Sequence, residues 1–199
     1  MTSPAIAAAT RAQQDPVIGV ITLAFAADPV TRWFYADPAQ YLAHVPAFVA
    51  AFGGGALDHG SAYCLAGYLG AALWLPPGAH PDHDALGALF ERTLPEATRA
   101  VLNEAFDRMD GYHPNEPHWY LPLIGIDPLR QNQGLGSLLM QHAHIICDRD
   151  GMLAYLESSN PANIPFYQRH GYELLGTIRV GGCPPISPML RKPRPRGAG

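Results

Sequence analysis

The chain has 199 residues, 48% hydrophobic and 15% charged, which is enough apolar material for one domain of ordinary size with a buried core. A net charge of −4 gives no electrostatic basis for binding nucleic acid. The cysteines, Cys64, Cys147 and Cys183, are odd in number and widely spaced, and no apolar run reaches the length of a membrane span. A cytoplasmic protein without metal, disulfide framework or membrane segment is therefore expected.

Residues 1–15 are alanine-rich and lack the charged start and long apolar core of a signal peptide. They read as a flexible leader to a single domain over 16–191. Asp15–Pro16 has the form of a helix start, with Asp as cap and Pro at the first position. Val17, Val20, Ile21, Ala24 and Phe25 then make one apolar face, ended by Asp28–Pro29. Asp37–Pro38 opens a second helix through Tyr41, Val45, Phe48 and Phe52 to the Gly53–Gly54–Gly55 break, with a kink or split expected at Pro46. Ser61–Gly67 and Tyr68–Leu75 read as antiparallel strands. His80 and His83 are separated by Pro81 and have no third ligand in view, so a solvated loop is expected there rather than a metal pair. Asp84–Leu94 and Glu96–Met109 read as helices divided by Pro95.

The most informative stretch follows. Leu121–Ile126 is a short apolar run that fits a buried strand, and Asp127–Pro128 stops it. From Gly134 the period becomes helical, through Leu135, Leu138, Leu139, Ile145 and Ile146. The start of such a helix leaves backbone N–H groups unpaired and partly positive. Gly134 and Gly136 would let a phosphate oxygen reach those amides. No Gly-Lys-Ser/Thr follows, and there is no Gly-x-Gly-x-x-Gly, so neither a Walker loop nor a dinucleotide fingerprint is present. Met152–Ser158 reads as a strand with Leu153, Tyr155 and Glu157 on one face. Asn163 is placed to cap a short helix from Ile164 to about His170, with Pro165 in its first turn and Gly171 ending it. Tyr172–Val180 and Ser187–Arg191 read as further strands. Residues 192–199 form a basic, proline-rich tail.

Gln131–Asn132–Gln133–Gly134–Leu135–Gly136 resembles Gln/Arg-x-x-Gly-x-Gly/Ala, the acetyl-CoA motif of the GNAT N-acetyltransferases. The block from Tyr155 to Tyr172, with Tyr167 and Gly171, is similar to that family's strand, short helix and Tyr-x-x-x-Gly-Phe ending. The wording resembles the puromycin-acetyltransferase-like branch. The resemblance implies an α/β (α+β) GNAT fold: a mixed central sheet of six to seven strands, a splayed central pair and helices on both faces. It also implies transfer of acetyl from acetyl-CoA to a primary amine of a small molecule, directly, through a tetrahedral intermediate. Protein lysine or amino-terminal acceptors, and a non-catalytic acyl-CoA-binding module, are the alternatives. A homodimer is in keeping with the family.

Acyl transfer needs phosphate anchoring, an oxyanion donor, a base and an acid. The resemblance places the anchor at Gln131, Asn132, Gln133, Gly134, Leu135, Gly136 and Ser137. It places backbone contacts to the pantetheine arm along Leu123, Ile124, Gly125 and Ile126, with close approach at Gly125 and the oxyanion donor near Leu123 or Ile124. Tyr167 matches the family tyrosine that protonates the departing sulfur, and a phenol, with a pKa of about 10, keeps its proton at neutral pH. Asn163, or Asn160, is matched to a pantetheine contact. Glu157 is the candidate base or substrate-binding carboxylate, with Glu116, His118 and Tyr120 as competitors. Trp33, Phe34, Tyr35, Tyr41 and Tyr120 are candidates to line the amine site, and packing aromatics are the equally open reading.

Overall fold

The computed structural model describes residues 4–194. Strand β1 (Ile6–Ala8) precedes a 3-10 turn, Arg11–Gln13, and helix α1 (Gln14–Ala24). The expected leader is therefore ordered from Ile6, because β1 pairs antiparallel with β2 (Ala62–Leu65). Thr10 and Gln13 form a reciprocal capping box, so the helical entry lies upstream of Asp15, which sits inside α1 and does not cap it.

Asp28 accepts the backbone N–H of Thr31 and so opens α2 (Pro29–Phe34), a short helix where sequence periodicity gives only an aromatic segment. Asp37 does the same for α3 (Pro38–Gly53) through Gln40, as expected from Asp37–Pro38. Each such cap stabilises its helix by about 1 kcal/mol. α3 continues through Pro46 without a break. Then come β3 (Gly70–Leu75), α4 (His83–Thr93), α5 (Glu96–Asp110), β4 (His118–Ile126), α6 (Leu135–Asp150), β5 (Leu153–Ser158), α7 (Ile164–Arg169), β6 (Glu173–Leu174) and β7 (Ser187–Arg191).

The strands form one seven-stranded sheet in the order β1-β2-β3-β4-β5-β7-β6. Every neighbouring pair is antiparallel except β4–β5, which is parallel. The mixed sheet with helices on both faces agrees with the expected fold class. α1 to α5 cover one face through Val17, Ile21, Val45, Phe48, Leu89 and Leu102. α6 and α7 cover the other through Leu135, Leu139, Met140, Cys147 and Tyr167. Full burial of a side chain such as Leu139 contributes about 2 kcal/mol. On α6 the buried stripe includes His144, whereas Ile145, expected on the apolar face, is 69% exposed.

Two irregularities shape the middle of the sheet. On β3, Leu73 and Leu75 are two residues apart, but their partners on β4, Leu123 and Tyr120, are three apart. The extra residue is a bulge in β4 that contains Pro122, a residue with no N–H to give to a ladder. It breaks the side-chain alternation, so Tyr120 and Leu123 face the same core while Leu121 faces the other. The second irregularity is the splay. β4 and β5 pair only over His118–Tyr120 and Leu153–Tyr155, after which Leu121–Ile126 and Leu156–Ser158 have no register with each other. A wedge opens there.

The expected strand Tyr172–Val180 is realised only as Glu173–Leu174 and an isolated bridge between Ile178 and Ile186. Gly176 lies against the phenol of Tyr112, where a Cβ would not fit, and the ladder stops ahead of that contact. Of the expected basic tail, Arg194 donates its backbone N–H to Asp148 Oδ1 at 2.8 Å, and residues 195–199 lie outside the described residues.

Candidate active site

The wedge opens into a cavity of about 670 Å³ that runs from the start of α6, between β4 and β5, to the aromatic side chains of α2, α3 and α5. Its first end is made of backbone. Gly134 is the residue before α6, with φ of 78° and open space where a Cβ would stand. That left-handed conformation favours glycine. No side chain caps α6, and the N–H groups of Leu135, Gly136 and Ser137 have no acceptor among the described residues. Asn132 is also left-handed, with φ of 61°. Arg130 and Arg169 line the same end and add positive charge that the glycine motif does not reveal. An uncapped helix start with a bare glycine and cationic flanks fits a diphosphate.

Gln131, Asn132, Gly134, Leu135, Gly136 and Ser137 all line this end, whereas Gln133 is exposed and does not. Gly136 has a packing reason as well, since a Cβ there would stand 3.3 Å from the ring of Phe166. Ser137 Oγ is 3.0 Å from Nε2 of His170.

Along the middle of the cavity run Leu123, Ile124, Gly125 and Ile126 on one side and Glu157, Ser158 and Ser159 on the other. The close approach expected at Gly125 has a different occupant. A Cβ there would lie 2.5 Å from the Cβ of Ala24, so the glycine lets α1 seat on the sheet. The irregularity in β4 is instead at Leu121–Leu123. Asn160, not Asn163, makes the capping bond of this segment, accepting from Ala162 N–H at 3.0 Å. Asn163 caps nothing with its side chain and lines the cavity.

Tyr167 is buried and lines the cavity from α7. Burial first, and the charge of Asp28 second, push its phenol up, so it holds its proton at neutral pH. Gly171 and the bonds from the His170, Gly171 and Tyr172 N–H groups end α7 and fix this tyrosine's position.

Glu157 lies one residue before the end of β5, with only 4% of its side chain exposed, and its Oε1 is 3.2 Å from Nε2 of His113. The two groups sit at ion-pair distance without hydrogen-bond alignment, and Oε1 has no aligned donor. Tyr120 and Tyr155 lie nearby, and their phenols are raised by burial and then by the charge of Glu157. Of the competing bases, His118 is held below the ordinary histidine value by burial and lines a second cavity with Tyr120 and Glu116.

The amine-side aromatics divide differently from expectation. Tyr35 is 2% exposed, shares a 2.7 Å hydrogen bond with Thr93 and does not line the cavity. Trp33 packs against the core beside Gly182, also away from the cavity. Tyr41 is buried, with its hydroxyl donating to Thr22 O. Of the expected aromatics Phe34 lines the cavity, together with Phe25, Phe48, Phe52 and Phe106. Asp28 was also legible only as a helix boundary. One of its oxygens accepts from Thr31, while the other accepts the hydroxyl of Ser159 at 2.5 Å across the cleft. His113 sits in the loop before β4, where no pattern marks it.

No group of three or more His, Cys, Asp or Glu among the described residues could hold a metal, and no helix there is long and apolar enough to cross a membrane. A family model for the acetyltransferase (GNAT) domain matches residues 101–174. An uncharacterized N-acetyltransferase of Schizosaccharomyces pombe is 28% identical over 141 residues, 63% of this chain, and the chain covers 57% of that protein's length. The Corynebacterium glutamicum protein named histone acetyltransferase HPA2 and related acetyltransferase superposes with a TM-score of 0.68 at 22% identity, over 99% of this chain and 100% of that one. The Drosophila melanogaster polyamine N-acetyltransferase gives a TM-score of 0.64 at 14% identity, over 94% and 99%. Family model, fold and the uncapped start of α6 agree: residues 101–174 resemble the GNAT acetyltransferase domain, and the fold is that of the acetyltransferase neighbours.

Proposed function

We propose that the protein transfers acetyl from acetyl-CoA to a primary amine of a small molecule. One observation carries the acceptor side of this reading: Glu157, with only 4% of its side chain exposed, lines the wedge beside the splayed strands. A buried carboxylate favours a ligand that brings it a cationic donor. A protonated amine is such a ligand. Glu157 orients it and takes its proton.

The start of α6, with Arg130 and Arg169, would hold the diphosphate, and the irregular edge of β4 would hold the pantetheine arm. Acetyl-CoA supplies the activated acyl group when bound. Backbone N–H groups near Leu123 or Ile124 are the oxyanion donors in this reading, and Tyr167 gives a proton to the leaving sulfur. The enclosing phenylalanines favour a small acceptor with an apolar part over a protein lysine. A Drosophila neighbour of the same fold, which forms N-acetylagmatine, supports an amine of that size. The puromycin-acetyltransferase-like wording of the motifs points the same way. We place the catalytic domain at residues 16–191 with β1 as an added edge strand, in a cytoplasmic protein that forms a homodimer.

Thiol release from acetyl-CoA, measured against a panel of primary amines, tests the reading. Amine-dependent thiol is expected. Tight acetyl-CoA binding with no thiol from any amine would mean a binding module. Tyr167→Phe should lower kcat about tenfold or more and leave CoA affinity within about twofold.

A further inference from the structure

We propose that the acceptor is a monoamine with an aryl or branched alkyl body, and that Phe106 sets this preference by closing the acceptor end of the cleft against the second cavity. This rests on the reading of the protein as an amine acetyltransferase and names the class of amine.

The acceptor end is walled by a run of rings. Phe48 and Phe52 stand one helical turn apart on α3, and their rings stack with centroids 5.3 Å apart. Phe34 of α2 meets Phe48 edge-on at 5.5 Å, and the ring of Phe106 on α5 lies 6.1 Å from that of Phe52. Leu102 and Met109 add aliphatic surface from α5. Phe34, Phe48 and Phe52 are buried, so packing fixes this part of the wall, whereas Phe106 is partly exposed.

Charge is scarce at this end. Among the described residues, the carboxylates lining the cleft are Asp28 and Glu157. Both oxygens of Asp28 are engaged, one by Thr31 and the other by Ser159. Glu157 is the group that the transfer reading gives to the reacting ammonium. A second cation on the acceptor, amine or guanidinium, would lose its water among phenylalanines with neither carboxylate left to pair it. An aryl or alkyl body gains from the same surface, since a methylene placed in an apolar pocket changes kcat/KM by about tenfold or more.

Carboxylates that could serve a second cation lie next door. Asp110 and Glu116 line the second cavity, of about 700 Å³, with His80, His113 and His118. Phe52, Phe106 and Met109 line both cavities and so stand between them. Phe52 is held by its stack on Phe48 and by an edge contact with Tyr120 at 6.3 Å, and Met109 is buried. Phe106 is the member of this partition with least burial, and its removal would join the two spaces.

The test is kcat/KM by thiol release for phenethylamine and agmatine, two primary amines of equal heavy-atom count, in the full chain and its Phe106→Ala variant. The wild type should favour phenethylamine by about a hundredfold or more, and the variant should narrow that ratio by about tenfold. A wild type that acetylates agmatine as well as phenethylamine overturns the monoamine class. A ratio unchanged in Phe106→Ala overturns the role of Phe106, because a purely structural loss scales both amines alike. Should the alanine variant fail to fold, Phe106→Leu decides that point: a narrowing of about threefold is expected, and an unchanged ratio overturns it. No thiol from any amine would refute the transfer reading instead. Calorimetry of both amines on the CoA-loaded protein would then decide the preference, and agmatine binding as tightly as phenethylamine would overturn it.

Discussion

The two ends of the cleft are built from different material. At the α6 end the cleft-facing groups are backbone amides, arranged by a left-handed glycine and an uncapped helix start. At the β5 end they are side chains: a carboxylate, the residues Ser158 and Ser159, and a wall of phenylalanine. A backbone site requires particular residues at fixed spacing, because only some residues permit the geometry. A side-chain site is assembled from distant segments, and its members carry no common spacing. The first kind suits a ligand that never changes. The second can be altered one residue at a time without disturbing the first.

The sharpest way to break this division is Glu157→Gln. It should reduce kcat by about a hundredfold, the scale of a lost general base, while CoA affinity stays within about twofold in a direct binding measurement. Loss of both together would mean that the two ends are one site. Gly125→Val tests whether that glycine serves packing or ligand. Its Cβ would press on Ala24, so a stability loss of about 1–3 kcal/mol in thermal or denaturant unfolding is expected. A stable variant with weakened CoA binding would return Gly125 to the ligand. Gly134→Val should do the reverse of Glu157→Gln. Forcing a β-branched residue to a φ of 78° costs about 1–2 kcal/mol, and CoA affinity should drop about tenfold by calorimetry while kcat at saturation changes little.

The effect furthest from the cleft belongs to His144, behind the cradle. Burial first, then the positive charge of Arg191, pushes it down to about 3. Its unfolded value is about 6.5, so between these limits the unfolded chain binds the extra proton. Stability should be full above about pH 6.5 and fall as the pH drops toward 3, by no more than about 1.4 kcal/mol per pH unit. His144→Gln should flatten that limb in pH-dependent unfolding.

Legibility in the sequence follows the same division. The strand, glycine turn and helix from Leu121 to Asp150 are local, and so are the caps at Asp37 and Gly171. The bulge at Pro122 was hidden because it is a property of pairing with β3, and β1 because three residues with no alternating pattern gain their ladder only from β2. Trp33, Phe34 and Tyr35 looked alike as cleft aromatics since composition cannot say which way α2 turns, and of the three only Phe34 lines the cavity. His113 lies in an unpatterned loop, and its partner Glu157 is more than forty residues further along the chain.

Asp28 joins parts of the chain 131 residues apart, since the carboxylate that starts α2 also takes the hydroxyl of Ser159 just past β5. The splayed strands are thus strapped at their open side by a single acidic side chain. The same negative charge, second to burial, helps keep the proton on Tyr167. The tie across the splay and the protonated state of that phenol thus share one residue.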